Sequence, residues 1–291
     1  MKHRFFITDV FADRRYSGNQ LATFMESADI SDAEMQQIAR EMNFSETTFI
    51  HSDRAREGGF DVRIFTPEEE LDFAGHPTLG SAYIIREQLL QRSVDRVTLN
   101  LRVGQVPVDF TAKNEVLWMH QVAPRFGEKL DPARLASVVG LQEEELDPRF
   151  PIEQVSTGLP FIIMPLRSLA VLRRIALRRD EYLDLIKGTW AKTILAFSPE
   201  GYEAGQSISV RVFPVSFGIP EDPATGSGNG CLAAYLLRNR YFRSDVLDVQ
   251  VGQGYEIGRP SRLYLRGRDD AGRIHVSVGG KVIPVAEGCW G

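Results

Sequence analysis

Val62-Arg63-Ile64-Phe65 runs on to His76-Pro77-Thr78-Leu79-Gly80-Ser81, and Val210-Arg211-Val212-Phe213 runs on to Asp222-Pro223-Ala224-Thr225-Gly226-Ser227. The spacing is 148 residues from Arg63 to Arg211 and 146 from His76 to Asp222, near half of the 291-residue length, as a duplicated domain requires. In each copy a β-branched strand feeds a proline-containing loop that ends in Gly-Ser at the head of an apolar helix. Backbone N–H groups left without partners at such a helix start can bind an anion. The copies carry different ionisable residues at the matched loop position, His76 and Asp222, so a symmetric scaffold would present an asymmetric acid/base pair.

Outward from these runs, the chain reads as many short strands and few helices. Residues 3–11 alternate and predict a strand, followed by a turn at Ser17-Gly18-Asn19. Ser31-Asp32-Ala33-Glu34 has capping-box spacing, and Ile30, Met35, Ile38, Ala39 and Met42 add the apolar face of a helix ending near Asn43. Strands follow over 45–51 and 60–65. Helices over 78–90 and 229–240 are apolar on most sides, which predicts burial inside a sheet. Strands are expected over 96–101, 105–110 and 115–120, with Gly104 and Asn114 in the turns. Asp131-Pro132 opens a helix that runs to about Val139 and stops at Gly140. The second half continues with a strand over 161–164, a helix over 180–187, a strand over 193–197, and three strands over 262–266, 273–278 and 282–286. This pattern gives an α+β class in two pseudo-symmetric domains, residues 1–123 and 124–291, with Pro124 opening the linker and the last strand able to join either half.

Composition narrows the function. Hydrophobic residues make up 43% and charged residues 25%, the balance of a globular protein with a sizeable core. A net charge of −5 argues against nucleic acid or an anionic membrane as partner, because those need a concentrated basic face. Arg173, Arg174, Arg178 and Arg179 read as a solvated helix face. Residues 1–9 lack the apolar stretch of a signal segment, and the longest apolar run, 159–166, holds two prolines and is too short to cross a bilayer, so a cytoplasmic protein is expected. Cys231 and Cys289 are too few for a disulfide framework or a structural zinc site and read as apolar side chains; no metal is expected.

Three residues could carry chemistry. Glu46 lies in Ser45-Glu46-Thr47-Thr48-Phe49, where a helix has ended and a strand begins; partial burial of its carboxylate would suit a general acid/base. On this segment alone a surface Glu on an edge strand is the simpler reading. His76 alone fits a structural histidine bonded to a carbonyl, and Asp222 before Pro223 fits a turn former. Glu68-Glu69-Glu70 reads as a solvated loop.

Taken together, these segments resemble a known family. Ser45 to Phe49, Arg63 to Pro67 with Phe73-Ala74-Gly75-His76-Pro77-Thr78-Leu79-Gly80, Glu221 to Ser227, and Gln253-Gly254-Tyr255-Glu256-Ile257-Gly258-Arg259-Pro260 are similar to the signatures of the PhzF-like isomerases of phenazine biosynthesis, and Asp9-Val10-Phe11 with Gly18-Asn19 fits as well. The resemblance implies the diaminopimelate-epimerase-like fold: two β-barrels, each around a central helix, with the active site in the cleft between them. It also implies a cofactor-free proton shift between ring carbons, as in isomerisation of trans-2,3-dihydro-3-hydroxyanthranilate, and a homodimer. Carried over, Glu46 matches the proton-shuttling glutamate, His76 and Asp222 its polar partners, and Gly75, Gly226 and Ser227 the loop positions that bind substrate.

The chemistry agrees with that assignment. A proton moved between two carbons needs one base that takes it and returns it, a role for Glu46. Developing negative charge needs donors already in place, which helix starts at Gly80-Ser81 and Gly226-Ser227 would supply, one of them holding a substrate carboxylate. Ser45 would line the same ligand. Asp222 would accept from a substrate amine or hydroxyl, and His76 would serve as donor or second proton carrier. Two other readings compete. An epimerase or racemase of this fold would use two opposed thiols, yet neither repeat loop holds a cysteine. A silent ligand-binding protein would keep the loops and lack turnover.

Overall fold

The structure is a computed structural model and describes residues 2–111 and 115–291; the turn expected at Asn114 lies outside the described residues. The chain divides into two compact units, residues 1–120 with 279–291, and residues 121–278. No helix among the described residues is long and apolar enough to cross a membrane.

The first unit begins with β1 (His3–Val10) and β2 (Asn19–Phe24), α1 (Asp32–Met42), β3 (Glu46–Ile50), β4 (Phe60–Phe65) and β5 (Glu70–Leu71). It continues with α2 (Gly75–Ile84), β6 (Arg96–Leu101), β7 (Gly104–Phe110) and β8 (Leu117–His120). Ser31 caps α1 by accepting from the Glu34 N–H at 3.3 Å, and Asn43 ends the helix in the left-handed region. β1 pairs antiparallel with β2, β2 parallel with β3, β3 antiparallel with β4, and β4 parallel with β6. The two parallel steps need crossovers, and α1 and α2 supply them. The chain's last strand, Val282–Trp290, pairs antiparallel with β1 and so belongs to this unit.

Strand alternation sorts the two faces of this sheet. Phe5, Phe24, Phe49 and Phe65 stand on adjacent strands with ring centroids 5.2–5.5 Å apart, and bury α1 through Met35, Ile38 and Ala39. The opposite face carries Thr23, Glu46 and Thr48 toward α2. Ser81 of α2 donates to Thr48 Oγ1 (3.0 Å), which donates to Thr23 Oγ1 (3.0 Å), so these three buried hydroxyls form one chain. Apart from Tyr83, every residue of α2 is buried.

The second unit begins with β9 (Arg125–Lys129), α3 (Pro132–Val138), β10 (Glu153–Ser156), β11 (Pro160–Pro165), α4 (Leu169–Arg173), α5 (Arg179–Lys187) and β12 (Thr193–Ser198). It continues with β13 (Ile208–Phe213), α6 (Gly226–Arg238), β14 (Val246–Gln253), β15 (Ser261–Asp270) and β16 (Arg273–Gly280). From β10 to β15 its neighbours alternate antiparallel, parallel, antiparallel, parallel, antiparallel, the series that β1, β2, β3, β4, β6 and β7 follow in the first unit. The duplication is thus present in hydrogen bonding as well as in sequence. α3, α4 and α5 bury Leu135, Leu172, Tyr182 and Leu185 in one cluster, and α6 is buried from Gly226 to Leu237. The stretch after Pro124, read as linker, contains β9, a strand with a single apolar residue, Phe126.

Candidate active site

Glu46 is the first residue of β3, opposite Leu21 of β2, on the face that α2 covers. His76 is the second residue of α2. The two meet: His76 Nε2 lies 3.4 Å from Glu46 Oε2, with the imidazole 4% and the carboxylate 14% exposed. Burial pushes the His76 pKa down to about 3, while a hydrogen bond to the backbone of Gln20 acts in the opposite sense. That sense identifies the ring as donor to the Gln20 carbonyl. Nε2 makes no hydrogen bond, so the donor is Nδ1, and the Nε2 lone pair faces Glu46. At neutral pH the contact is between a carboxyl and a neutral imidazole. Toward Glu46, His76 is therefore an acceptor instead of the donor expected from sequence, and a ring kept neutral by burial is poorly suited to the other expected role, that of a second proton carrier.

The helix start lies earlier than the sequence suggests. α2 begins at Gly75, with Ala74 as N-cap, instead of at Gly80-Ser81. Gly80 and Ser81 sit one turn further in, where backbone N–H groups are already used by the helix. Gly80 packs against the sheet, since a Cβ there would stand 2.4 Å from Leu21 Cδ2 and 3.1 Å from Val10 Cγ2. Ser81 is spent on Thr48. Gly75 takes the place expected of Gly80, and Ser45, half-buried, adjoins Glu46.

In the second unit α6 starts at Gly226, followed by Ser227. The two helices thus begin 151 residues apart, at Gly75 and Gly226. Neither N-cap residue, Ala74 or Thr225, caps its helix through a side chain, so both first turns keep donors for a ligand. Asp222 is not the counterpart of His76. Its N–H bonds the Val212 carbonyl (2.9 Å) in a bridge that repeats the pairing of Leu71 with Ile64, so Asp222 matches Leu71.

The residue before each of these positions forms a duplicated clamp. Arg63 Nε and Nη2 donate to Glu70 Oε1 and Oε2, both at 2.7 Å; Arg211 Nε and Nη2 donate to Glu221 Oε1 (3.0 Å) and Oε2 (2.7 Å). Each guanidinium also stands 5.1 Å from the ring of the second residue after it, Phe65 or Phe213. Two-point bonding of this kind fixes direction as well as distance, so each clamp ties the strand to the loop that launches the helix. Glu70, read as part of a solvated run, is a half-buried member of one clamp.

Asp222 is held three ways. Its carbonyl accepts from Gln253 Nε2 (2.8 Å), its Oδ2 accepts from Thr225 Oγ1, and its N–H is in the bridge above. Gln20, Thr225 and Gln253 have roles that the sequence alone does not single out. Gln253 opens the fourth motif quoted there, and that placement was the available signal. Among the described residues, no group of three or more His, Cys, Asp or Glu side chains could hold a metal ion.

Residues 8–288 match the family described as phenazine biosynthesis-like protein. The chain belongs to this phenazine biosynthesis-like family. Within it, the chain is 35% identical to the trans-2,3-dihydro-3-hydroxyanthranilate isomerase of Pseudomonas aeruginosa, over 98% of each chain. The solved PhzF-family phenazine biosynthesis protein of Bacillus anthracis superposes with a TM-score of 0.90 at 26% identity, over 100% of this chain and 99% of the other. A predicted epimerase of Pseudomonas aeruginosa gives 0.81 at 30% identity, over 98% of each. This phenazine biosynthesis-like protein is an isomerase of mixed α+β fold.

Proposed function

We propose that the isomerase moves a proton between carbons of a small cyclic amino or hydroxy acid, by a reaction like that named for its relative from Pseudomonas aeruginosa, with Glu46 as the acid/base. The observation that carries this reading is the contact of the Glu46 carboxyl with a buried imidazole that stays neutral. When Glu46 takes a proton from carbon, its new O–H has the Nε2 lone pair as a ready acceptor, and the proton can be held there until it returns to a second carbon. His76 gives the acid form a partner without competing for the proton. One helix start, at Gly75 or Gly226, binds the substrate carboxylate, and Ser45 and Ser227 add polar contacts. Asp222 accepts from the substrate amine or hydroxyl.

The thiols do not favour a two-cysteine epimerase. Cys231 is fully buried as the sixth residue of α6, its Sγ donates to the Leu159 carbonyl at 3.4 Å, and burial pushes its pKa up to about 12. Cys289 is exposed on the last strand. The deciding experiment incubates the protein in deuterated water with trans-2,3-dihydro-3-hydroxyanthranilate and related cyclic acids. Deuterium should enter at carbon and be slowed about 10²- to 10⁴-fold by Glu46→Gln. Undiminished exchange in that variant would remove Glu46 from the reaction, and its absence with every acid in the wild type would favour a silent binding protein.

A further inference from the structure

Gln253 ends β14 and is wholly buried. Its amide makes four hydrogen bonds, the full capacity of the group. Nε2 donates to the Asp222 carbonyl (2.8 Å) and to Thr225 Oγ1 (3.0 Å), while Oε1 accepts from the Thr225 N–H (3.1 Å) and from Asn229 Nδ2 (3.0 Å). The two backbone partners fix which way the amide points, since a carbonyl only accepts and an N–H only donates. Thr225 Oγ1, having accepted from Gln253, has one proton left, and that proton goes to Asp222 Oδ2. The same threonine is the N-cap residue of α6 and spends no side-chain bond on the helix. One amide therefore ties together the Asp222 backbone, the direction of its carboxylate and the first turn of α6.

The duplication provides an internal control. Phe60 pairs with Leu99 in the first unit and Ile208 with Val251 in the second, so the residue two further along is Leu101 in one and Gln253 in the other. The partners differ in the same sense, Leu71 against Asp222. Where the first unit has leucine at both positions, the second has the polar network of Gln253 and Asp222, so this strand arrangement also forms with leucine there.

We propose that Gln253 is a positioning residue which, acting through the Thr225 hydroxyl, sets the direction of the Asp222 carboxylate relative to the start of α6 and never touches the substrate. The inference rests on the reading above that gives Asp222 and that helix start their roles toward substrate. A carboxylate on a loop misplaced by 1 Å can cost about 100-fold in rate.

The test uses Thr225→Val, which deletes the hydroxyl and keeps the Gln253 bonds to both backbone groups, together with Gln253→Leu, which copies the first unit. With trans-2,3-dihydro-3-hydroxyanthranilate as probe, Thr225→Val should lower kcat about 10- to 100-fold with KM changed less than about threefold, and lower the thermal midpoint by only a few degrees, because one Gln253 Nε2 proton loses its acceptor. Gln253→Leu should speed backbone amide exchange over residues 222–229. Wild-type kcat in Thr225→Val, or unchanged exchange in a folded Gln253→Leu, overturns the proposal. A wild-type protein that leaves carbon-bound hydrogen untouched overturns the proton-shuttle reading instead, and the amide-exchange comparison still decides whether Gln253 fixes the loop.

Discussion

His76 presents an unprotonated Nε2 to Glu46 Oε2 at 3.4 Å, because its own N–H is engaged by the Gln20 carbonyl and burial denies the ring a charge. An ion pair would bring a cation to the same distance. Here the imidazole offers a lone pair, and the carboxyl is the partner that can carry a proton.

The burial has a signature in stability. An unfolded histidine titrates near 6.5, and the folded His76 near 3. Between those values the unfolded chain binds a proton that the folded chain does not, so stability should be complete above about pH 6.5 and fall as pH drops toward 3. The slope from one such group is about 1.4 kcal/mol per pH unit. Urea unfolding at pH 7, 6, 5 and 4 should show a shallower decline for His76→Asn than for the wild type; equal slopes would mean that the ring is solvated.

The two clamps should differ in strength. Arg211 and Glu221 have side chains 9% and 8% exposed, against 23% and 15% for Arg63 and Glu70. Removing one partner of a buried pair leaves the other charge stranded, at about 3–5 kcal/mol. Arg211→Met should therefore destabilise by about 3 kcal/mol, Arg63→Met by less, and Arg211→Met/Glu221→Met should recover much of the loss. A thermodynamic double-mutant cycle measures this, and additive losses at Arg211 and Glu221 would contradict it.

Gly80→Ala separates a packing glycine from a substrate-binding one. The added methyl meets Leu21 and Val10, both fully buried, so overpacking of about 1–3 kcal/mol is expected in denaturant unfolding. The folded fraction should keep the wild-type KM. A raised KM without loss of stability would return Gly80 to the ligand.

Cys231→Ala should leave the rate of carbon exchange unaltered and cost about 1–2 kcal/mol of stability. A thiol with its pKa pushed up to about 12 is not ionised at neutral pH, so iodoacetamide should leave the native protein active. Loss of turnover on alkylation of Cys231 would reopen the thiol-based alternative.

What the sequence made legible follows from how local each signal is. The capped helix from Ser31 to Asn43 is written in neighbouring residues, and both of its ends appear where the caps stand. The duplication was readable because strand and loop repeat by letter. The letters also misled: Gly80-Ser81 resembles Gly226-Ser227, but the register of the apolar helix, with Pro77 tolerated in its first turn, places the start at Gly75. Glu70 reads as one of three solvated carboxylates until the hairpin brings Arg63 against it, a pairing only tertiary structure reveals. The same holds for Gln253, whose partners lie 24–31 residues earlier in the chain. β9 is not legible in the sequence because a strand of mostly charged residues has no apolar alternation to read.

The last strand lies against β1, and the whole second unit intervenes between them in the chain. During synthesis β1 emerges before residues 121–278 yet gains this neighbour only after them, while those residues can fold from segments already made. Order of birth and order of completion are thereby reversed: the half that bears Glu46 and His76 is finished only after the ribosome has delivered residues 121–278.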